Sequence, residues 1–122
     1  MYNVKIAVVD RDKLTRDFIV NVMTYSVNRE VMAFENSGAF KAYMQAGGLV
    51  DILLSDVKLY DETGFDLLRF IKQAQPNIKF ITMSASPPDE KTSMELGADA
   101  FLAKPFTLQD LFDLVKQFVV GE

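Results

Sequence analysis

Continuous apolar runs in this chain alternate with stretches whose apolar residues recur every three or four positions, which predicts strands alternating with helices. Val4 to Val9 is β-branched and nearly all apolar, broken only by Lys5, and reads as a buried strand ending at Asp10. Asp12 is placed to cap a helix in which Leu14, Phe18 and Val22, with Ile19 and Met23 beside them, form a stripe at helical spacing. Arg29 to Phe34 is a weaker strand, expected near an edge. Asn36 or Ser37 caps a short helix through Phe40, Tyr43 and Met44, closed by Gly47 and Gly48. The run from Asp51 to Asp56 is the centre of the pattern, because a strand buried on both faces carries a carboxylate to its far end.

Gly64 then opens a helix with Phe65, Leu68 and Ile71 on its core face and Leu67 and Ala74 flanking, and Pro76 blocks its continuation. Ile78 to Met83 is a fourth strand, followed by Ser84, Ala85 and Ser86. Pro87 and Pro88 start a fourth helix with Gly97 as its C-terminal cap. Between Asp89 and Glu95 only Met94 is strongly apolar, so this helix is expected at the low-stability, movable end of the structure. A short fifth strand lies within Ala98 to Ala103, and Lys104-Pro105-Phe106 turns the chain. Thr107 caps a last helix with Leu108, Leu111, Phe112, Val115, Phe118 and Val119 on one broad face. Short loops between alternating strands and helices imply right-handed crossovers and an α/β fold, a doubly wound parallel sheet with helices on both faces. The flavodoxin-like strand order 2-1-3-4-5 is the natural candidate. It sets the ends of strands one and three side by side, so that Asp10, Asp12 and Asp56 meet at the topological switch point.

Composition narrows the chemistry. With 122 residues and 49% hydrophobic content, residues 1–122 are expected to form one domain with one core. The net charge of −4 gives no broad attraction for nucleic acid or an anionic membrane, so this chain alone is not expected to bind either. Cysteine is absent, which removes a disulfide scaffold, a thiolate nucleophile and a Cys-ligated zinc site. Histidine is absent too, so chemistry must rest on carboxylates, hydroxyls, lysine and a hard metal ion. No signal peptide and no membrane-spanning run is visible, and a cytoplasmic location is expected.

Carboxylates gathered in one cleft repel one another unless protons or a cation share the space, and magnesium is the ion best suited to oxygen ligands. Two further strands end in groups that suit phosphate: the Ser84 hydroxyl can hydrogen-bond a phosphoryl oxygen, and the Lys104 ammonium can neutralise one. An ionised aspartate can itself be the nucleophile, forming an aspartyl phosphate. Singly, each residue has a plainer role. Asp10 and Asp12 could cap the first helix, Asp56 could be an ordinary strand-terminating acid, Ser84 a small turn residue, and Lys104 a solvated lysine before a proline.

Taken in order and spacing, these pieces resemble the receiver domain of two-component response regulators over essentially the whole chain. They are the acids of Val8-Val9-Asp10-Arg11-Asp12, the Asp51 to Asp56 strand with Gly64 eight residues on, Ser84-Ala85, and Gly97 through Lys104-Pro105-Phe106. The resemblance implies that Asp56 accepts a phosphoryl group from a sensor histidine kinase or histidine phosphotransfer protein. It implies that Ser84 and Lys104 contact that group, and that Asp10, Asp12, Asp56 and the Lys58 carbonyl hold Mg2+. Ser84 and Phe101 are then the switch residues, and the face of the fourth helix, fifth strand and fifth helix meets an effector or a second copy. Such a domain is a signalling module that catalyses only its own phosphorylation and dephosphorylation.

Two departures from the family pattern matter. Arg11 stands where a second acid is usual, and is expected to reach into the cleft as a counterion to Asp10, Asp12 or Asp56, weakening magnesium binding. Tyr60 replaces a proline, so the loop after Asp56 is expected to be less fixed. Two other functions compete. The acids Asp10 and Asp12 also resemble the first motif of haloacid-dehalogenase-like phosphohydrolases, with Asp10 as nucleophile. Arg11 points instead to a pseudo-receiver that binds partners without phosphorylation.

Overall fold

The computed structural model describes residues 4–26 and 30–119. Five strands and five helices alternate: β1 (Lys5–Val9), α1 (Lys13–Ser26), β2 (Glu30–Phe34), α2 (Ser37–Gln45), β3 (Ile52–Asp56), α3 (Gly64–Ala74), β4 (Lys79–Ser84), α4 (Pro88–Glu95), β5 (Ala100–Ala103) and α5 (Leu108–Val119). All strand pairs are parallel and the order is β2-β1-β3-β4-β5, as the sequence pattern predicts. Arg29, read as the start of the second strand, lies outside the described residues.

Successive strand residues point to opposite faces, which divides the core in two. Ile6, Val8, Leu54, Ile81 and Met83 face α1 and α5, where they pack on Ile19, Met23, Leu111 and Val115. Ala7, Val9, Leu53 and Phe80 face the other way, against Phe40 of α2 and Leu67, Leu68 and Ile71 of α3. β3 is buried along its whole length, so nothing but its end is open to chemistry.

Three helices bury narrower faces than the sequence predicts. In α1 the buried residues are Ile19, Val22 and Met23, whereas Leu14 is 79% and Phe18 38% exposed. The first turns of α1 lie beside the loop after β5 rather than over the sheet, and the Phe18 ring meets Phe106 at 6.0 Å. In α3, Leu67 replaces Phe65 on the core face, and Ala74 is exposed. In α5, Leu111, Val115 and Val119 are buried while Leu108 is half exposed. In each case the apolar stripe is wider than the strip of sheet beneath it.

α4 is the exception among the helices. It buries one side chain, Ser93, and even Met94 is 44% exposed. Full burial of a leucine-sized side chain contributes about 1.5–3 kcal/mol, and α4 gains none of this, while α3 gains it at three positions. Gly97 ends it at φ +100, a conformation that needs glycine. Native-state amide exchange should therefore be faster across residues 88–95 than across α3 or α5, and equal protection in the three helices would contradict this account.

Candidate functional site

Parallel pairing sends every strand end to one edge of the sheet. Four of the ends bring candidate groups to it: Asp10 after β1, Asp56 closing β3, Ser84 closing β4 and Lys104 after β5. Backbone bonds lock these ends together, from Val57 N to the Met83 carbonyl at 3.1 Å and from Lys104 N to the Ser84 carbonyl at 2.8 Å.

The Lys104 ammonium is the hub. Its Nζ lies 2.7 Å from Asp10 Oδ2 and 3.4 Å from Asp56 Oδ1. Asp10 is fully buried and its other oxygen accepts the Asp12 N–H at 2.8 Å, so both carboxylate oxygens are engaged. Asp56 is different. It lines an open cleft of about 260 Å³ with Lys58, Ser84, Ala85, Ser86 and Lys104. Burial raises the Asp56 pKa, the Asp10 charge raises it further, and Lys104 only partly offsets both.

Asp12 does not join the cluster. Its Oδ2 accepts from the Thr15 N–H at 3.2 Å and the Thr15 hydroxyl at 2.7 Å, capping α1 from an exposed position. The Thr15 hydroxyl bond holds its pKa below the ordinary value. Arg11 does not enter the cleft either. Its guanidinium sits over the Tyr60 ring, 6.0 Å from the centroid, on the exposed surface. Lys104 and the Asp12 amide already occupy the Asp10 oxygens, and a surface site keeps the guanidinium hydrated. The counterion of the cleft is Lys104.

Ser84 lines the cleft, yet its hydroxyl donates to Asp89 Oδ2 at 2.7 Å and accepts the Ser86 N–H at 2.9 Å. Phe101 is half-buried in β5 and borders a groove with Ala103, Pro105, Asp110 and Leu114.

The loop after Asp56 is held in place despite Tyr60. Asp61 accepts from the amides of Ser37 at 3.1 Å and Gly38 at 2.7 Å, at the positive end of α2. Burial alone would raise the Asp61 pKa, but these amide bonds outweigh it and the value falls. Glu62 accepts from the Ser37 hydroxyl and pairs with Lys41 at 2.8 Å. Gly64 closes the loop, its amide bonding the Val57 carbonyl at 2.8 Å. A Cβ on Gly64 would fall 2.2 Å from the Asp56 carbonyl oxygen, too close for any side chain. Asp61, Glu62 and Asp89 were not singled out in the sequence; all three act across loops, and only their nearness to a helix start hints at it.

Asp10 and Asp56 are hard oxygen donors of the kind that hold magnesium through one or two carboxylates with water, and Lys58 lines the same cleft. In this structure Asp12 caps α1 instead of meeting Asp10 and Asp56, and no group of three potential metal-ligating acids is found among the described residues.

Three outcomes follow from this geometry. Because folding raises the Asp56 pKa, the native state binds more protons than the unfolded chain from the ordinary aspartate value of 3.8 upward. Stability therefore falls as pH rises through that window, and Asp56→Asn should flatten the fall and raise the melting temperature at pH 7. Magnesium at ten times its dissociation constant should stabilise the wild type by about 1.4 kcal/mol. Thermal melts against pH and magnesium check both. Gly64→Ala should lower the melting temperature, since only backbone stands in the way of its Cβ, and an unchanged melt would contradict the close approach.

The model of the response regulator receiver domain family matches residues 6–116. The transcriptional regulator NtrC of Azospirillum brasilense is 31% identical over 92% of this chain, and the sensor kinase CckA of Brucella abortus 37% identical over 78%. The chain spans 23% of the first protein's length and 10% of the second's. Among solved structures, the beryllofluoride-activated DrrB receiver domain has a TM-score of 0.87 at 26% identity, covering 98% of this chain and all of that one. A CheY-like receiver domain protein of Methanospirillum hungatei has the same TM-score and identity, over 95% of this chain and 93% of that one. No helix of the described residues is long and apolar enough to cross a membrane. The chain belongs to the response regulator receiver domain family.

Proposed function

We propose that this chain is a phosphoacceptor module of a two-component phosphorelay and that Asp56 takes the phosphoryl group. The observation that carries this reading is the contrast between the two buried acids. Asp10 has both oxygens engaged and no exposed surface, while Asp56 opens on a cleft that also contains the ammonium and hydroxyl a phosphoryl group needs. The same contrast weighs against Asp10 as the nucleophile of a phosphohydrolase.

In the proposed transfer an Asp56 carboxylate oxygen attacks phosphorus. The P–N bond to the donor's phosphohistidine breaks, and the imidazole leaves with the electron pair and takes up a proton. Lys104 neutralises a phosphoryl oxygen, which weakens its hold on Asp10 and Asp56. Asp10, Asp56 and the Lys58 carbonyl would hold Mg2+, which supplies further positive charge against the phosphoryl oxygens when bound. Arg11 lowers magnesium affinity by supplying no carboxylate, rather than by filling the cleft. That loss, with Asp12 committed to capping, favours a phosphorylation-independent binding module as the second reading.

The donor, a sensor histidine kinase or histidine phosphotransfer protein, must rest beside the cleft. A groove of about 360 Å³ adjoins Lys104 and is lined mainly by Leu14, Phe18, Ala85, Pro105 and Phe106. Its apolar floor explains why Leu14 and Phe18 stay uncovered on α1. The effector, or a second copy of the chain, would read the face of α4, β5 and α5, with Phe101 at its centre.

Mass spectrometry after incubation with acetyl phosphate and magnesium should find one phosphoryl group on Asp56, and none in Asp56→Asn. Labelling that persists in Asp56→Asn overturns the reading, and no labelling of the wild type favours the second one. Leu14→Asp should slow transfer from a phosphorylated histidine protein about tenfold while leaving acetyl phosphate labelling unchanged. Equal slowing with both donors would remove the docking role.

A further inference from the structure

The acid that bonds Ser84 takes no part in the proposed transfer, yet it controls a group the transfer requires. A hydroxyl has a single proton and so donates one hydrogen bond at a time. In Ser84 that proton goes to Asp89 Oδ2 at 2.7 Å, and the Ser86 amide holds the oxygen from the other side at 2.9 Å. Ser84 is only 5% exposed, so bulk water offers it little alternative. A phosphoryl oxygen on Asp56 can receive this proton only when Asp89 releases it.

Asp89 also lies on the helix with the least anchorage. Pro87 precedes α4 without a side-chain cap, and Ser93 is the one buried residue of the helix. The Ser84–Asp89 bond ties the first turn of α4 to the end of β4, and its acceptor is charged, which makes it stronger than a neutral bond.

We propose that Asp89 is a positioning residue that holds the Ser84 hydroxyl toward α4, lowering the cleft's affinity for a phosphoryl group and releasing the first turn of α4 when that group binds. The proposal rests on Asp56 as the phosphoryl site. One proton shared between two acceptors couples the cleft to the helix, with no need for a chain of repacked side chains between them.

The test is titration of beryllofluoride, with saturating magnesium, into the wild type, Asp89→Ala, Asp89→Asn, Ser84→Ala and the Ser84→Ala/Asp89→Ala double variant. Asp89→Ala should bind about tenfold more tightly than the wild type, as expected for removing a competing bond to a charged group. Asp89→Asn should fall between them, because its amide oxygen still accepts the proton but without charge. In the Ser84→Ala background, Asp89→Ala should make no difference. Amide exchange across residues 88–95 should rise on beryllofluoride binding in the wild type, and should already be high in unliganded Asp89→Ala.

Equal affinity in the wild type and Asp89→Ala overturns the proposal. So does an equal gain in the Ser84→Ala background, which would mean simple repulsion between the Asp89 charge and the anion. Failure of the underlying reading looks different: beryllofluoride would then bind Asp56→Asn as well as it binds the wild type.

Discussion

One ammonium group holds the carboxyl edge of the sheet together. Lys104 lies between Asp10 and Asp56, two acids that neighbouring strands force close to each other below the surface. Without it the buried Asp10 would lose the cation it is paired with, and removing one partner of such a pair costs about 3–5 kcal/mol. The arrangement is a compromise. Lys104 reaches Asp10 within hydrogen-bond distance but stands back from Asp56, whose carboxyl still holds its proton more tightly than usual. A site built this way gains from any added positive charge and tolerates a rearranged one.

The hub depends on how its four strand ends are supported. β1 and β3 are nearly sealed from water, so Asp10 and Asp56 inherit fixed positions from strands that have nowhere to move. β4 and β5 are tied by the amide of Lys104 to the Ser84 carbonyl. The loop after Asp56 gains its rigidity from elsewhere, since Asp61 and Glu62 fasten it to the positive end of α2. Backbone amides at a helix start thus fix a loop that has no proline ring at position 60 to stiffen it.

How much of this was legible in the sequence follows from what each feature depends on. Strand order and the meeting of Asp10, Asp56, Ser84 and Lys104 follow from periodicity and chain connectivity, which are written locally. The faces of α1, α3 and α5 were read too broadly, because apolar spacing records what could be buried, while the width of the sheet decides what is. Charge alone points Arg11 into the cleft. Its actual place over Tyr60 depends on Asp10 already being satisfied by Lys104, a residue 94 positions away in the chain. Asp12 had been read both as a cap and as a ligand, and the competing hydrogen bonds from Thr15 favour the cap. Asp61 and Glu62 carry no local signal, because their partners in α2 are set by tertiary contacts, and Asp89 meets Ser84 across a turn whose geometry spacing alone does not give.

The groups of the cleft come from positions 10, 56, 84 and 104, so they are spread over most of the chain and arrive by four separate strands. A fragment that stops before β5 carries Asp10, Asp56 and Ser84 but not the ammonium that joins them, because Lys104 follows the last strand to pair. A nascent or clipped chain that lacks Lys104 would leave Asp10 and Asp56 to repel each other instead of forming a weaker version of the cleft. The cleft therefore forms only when strands from both halves of the chain have come together.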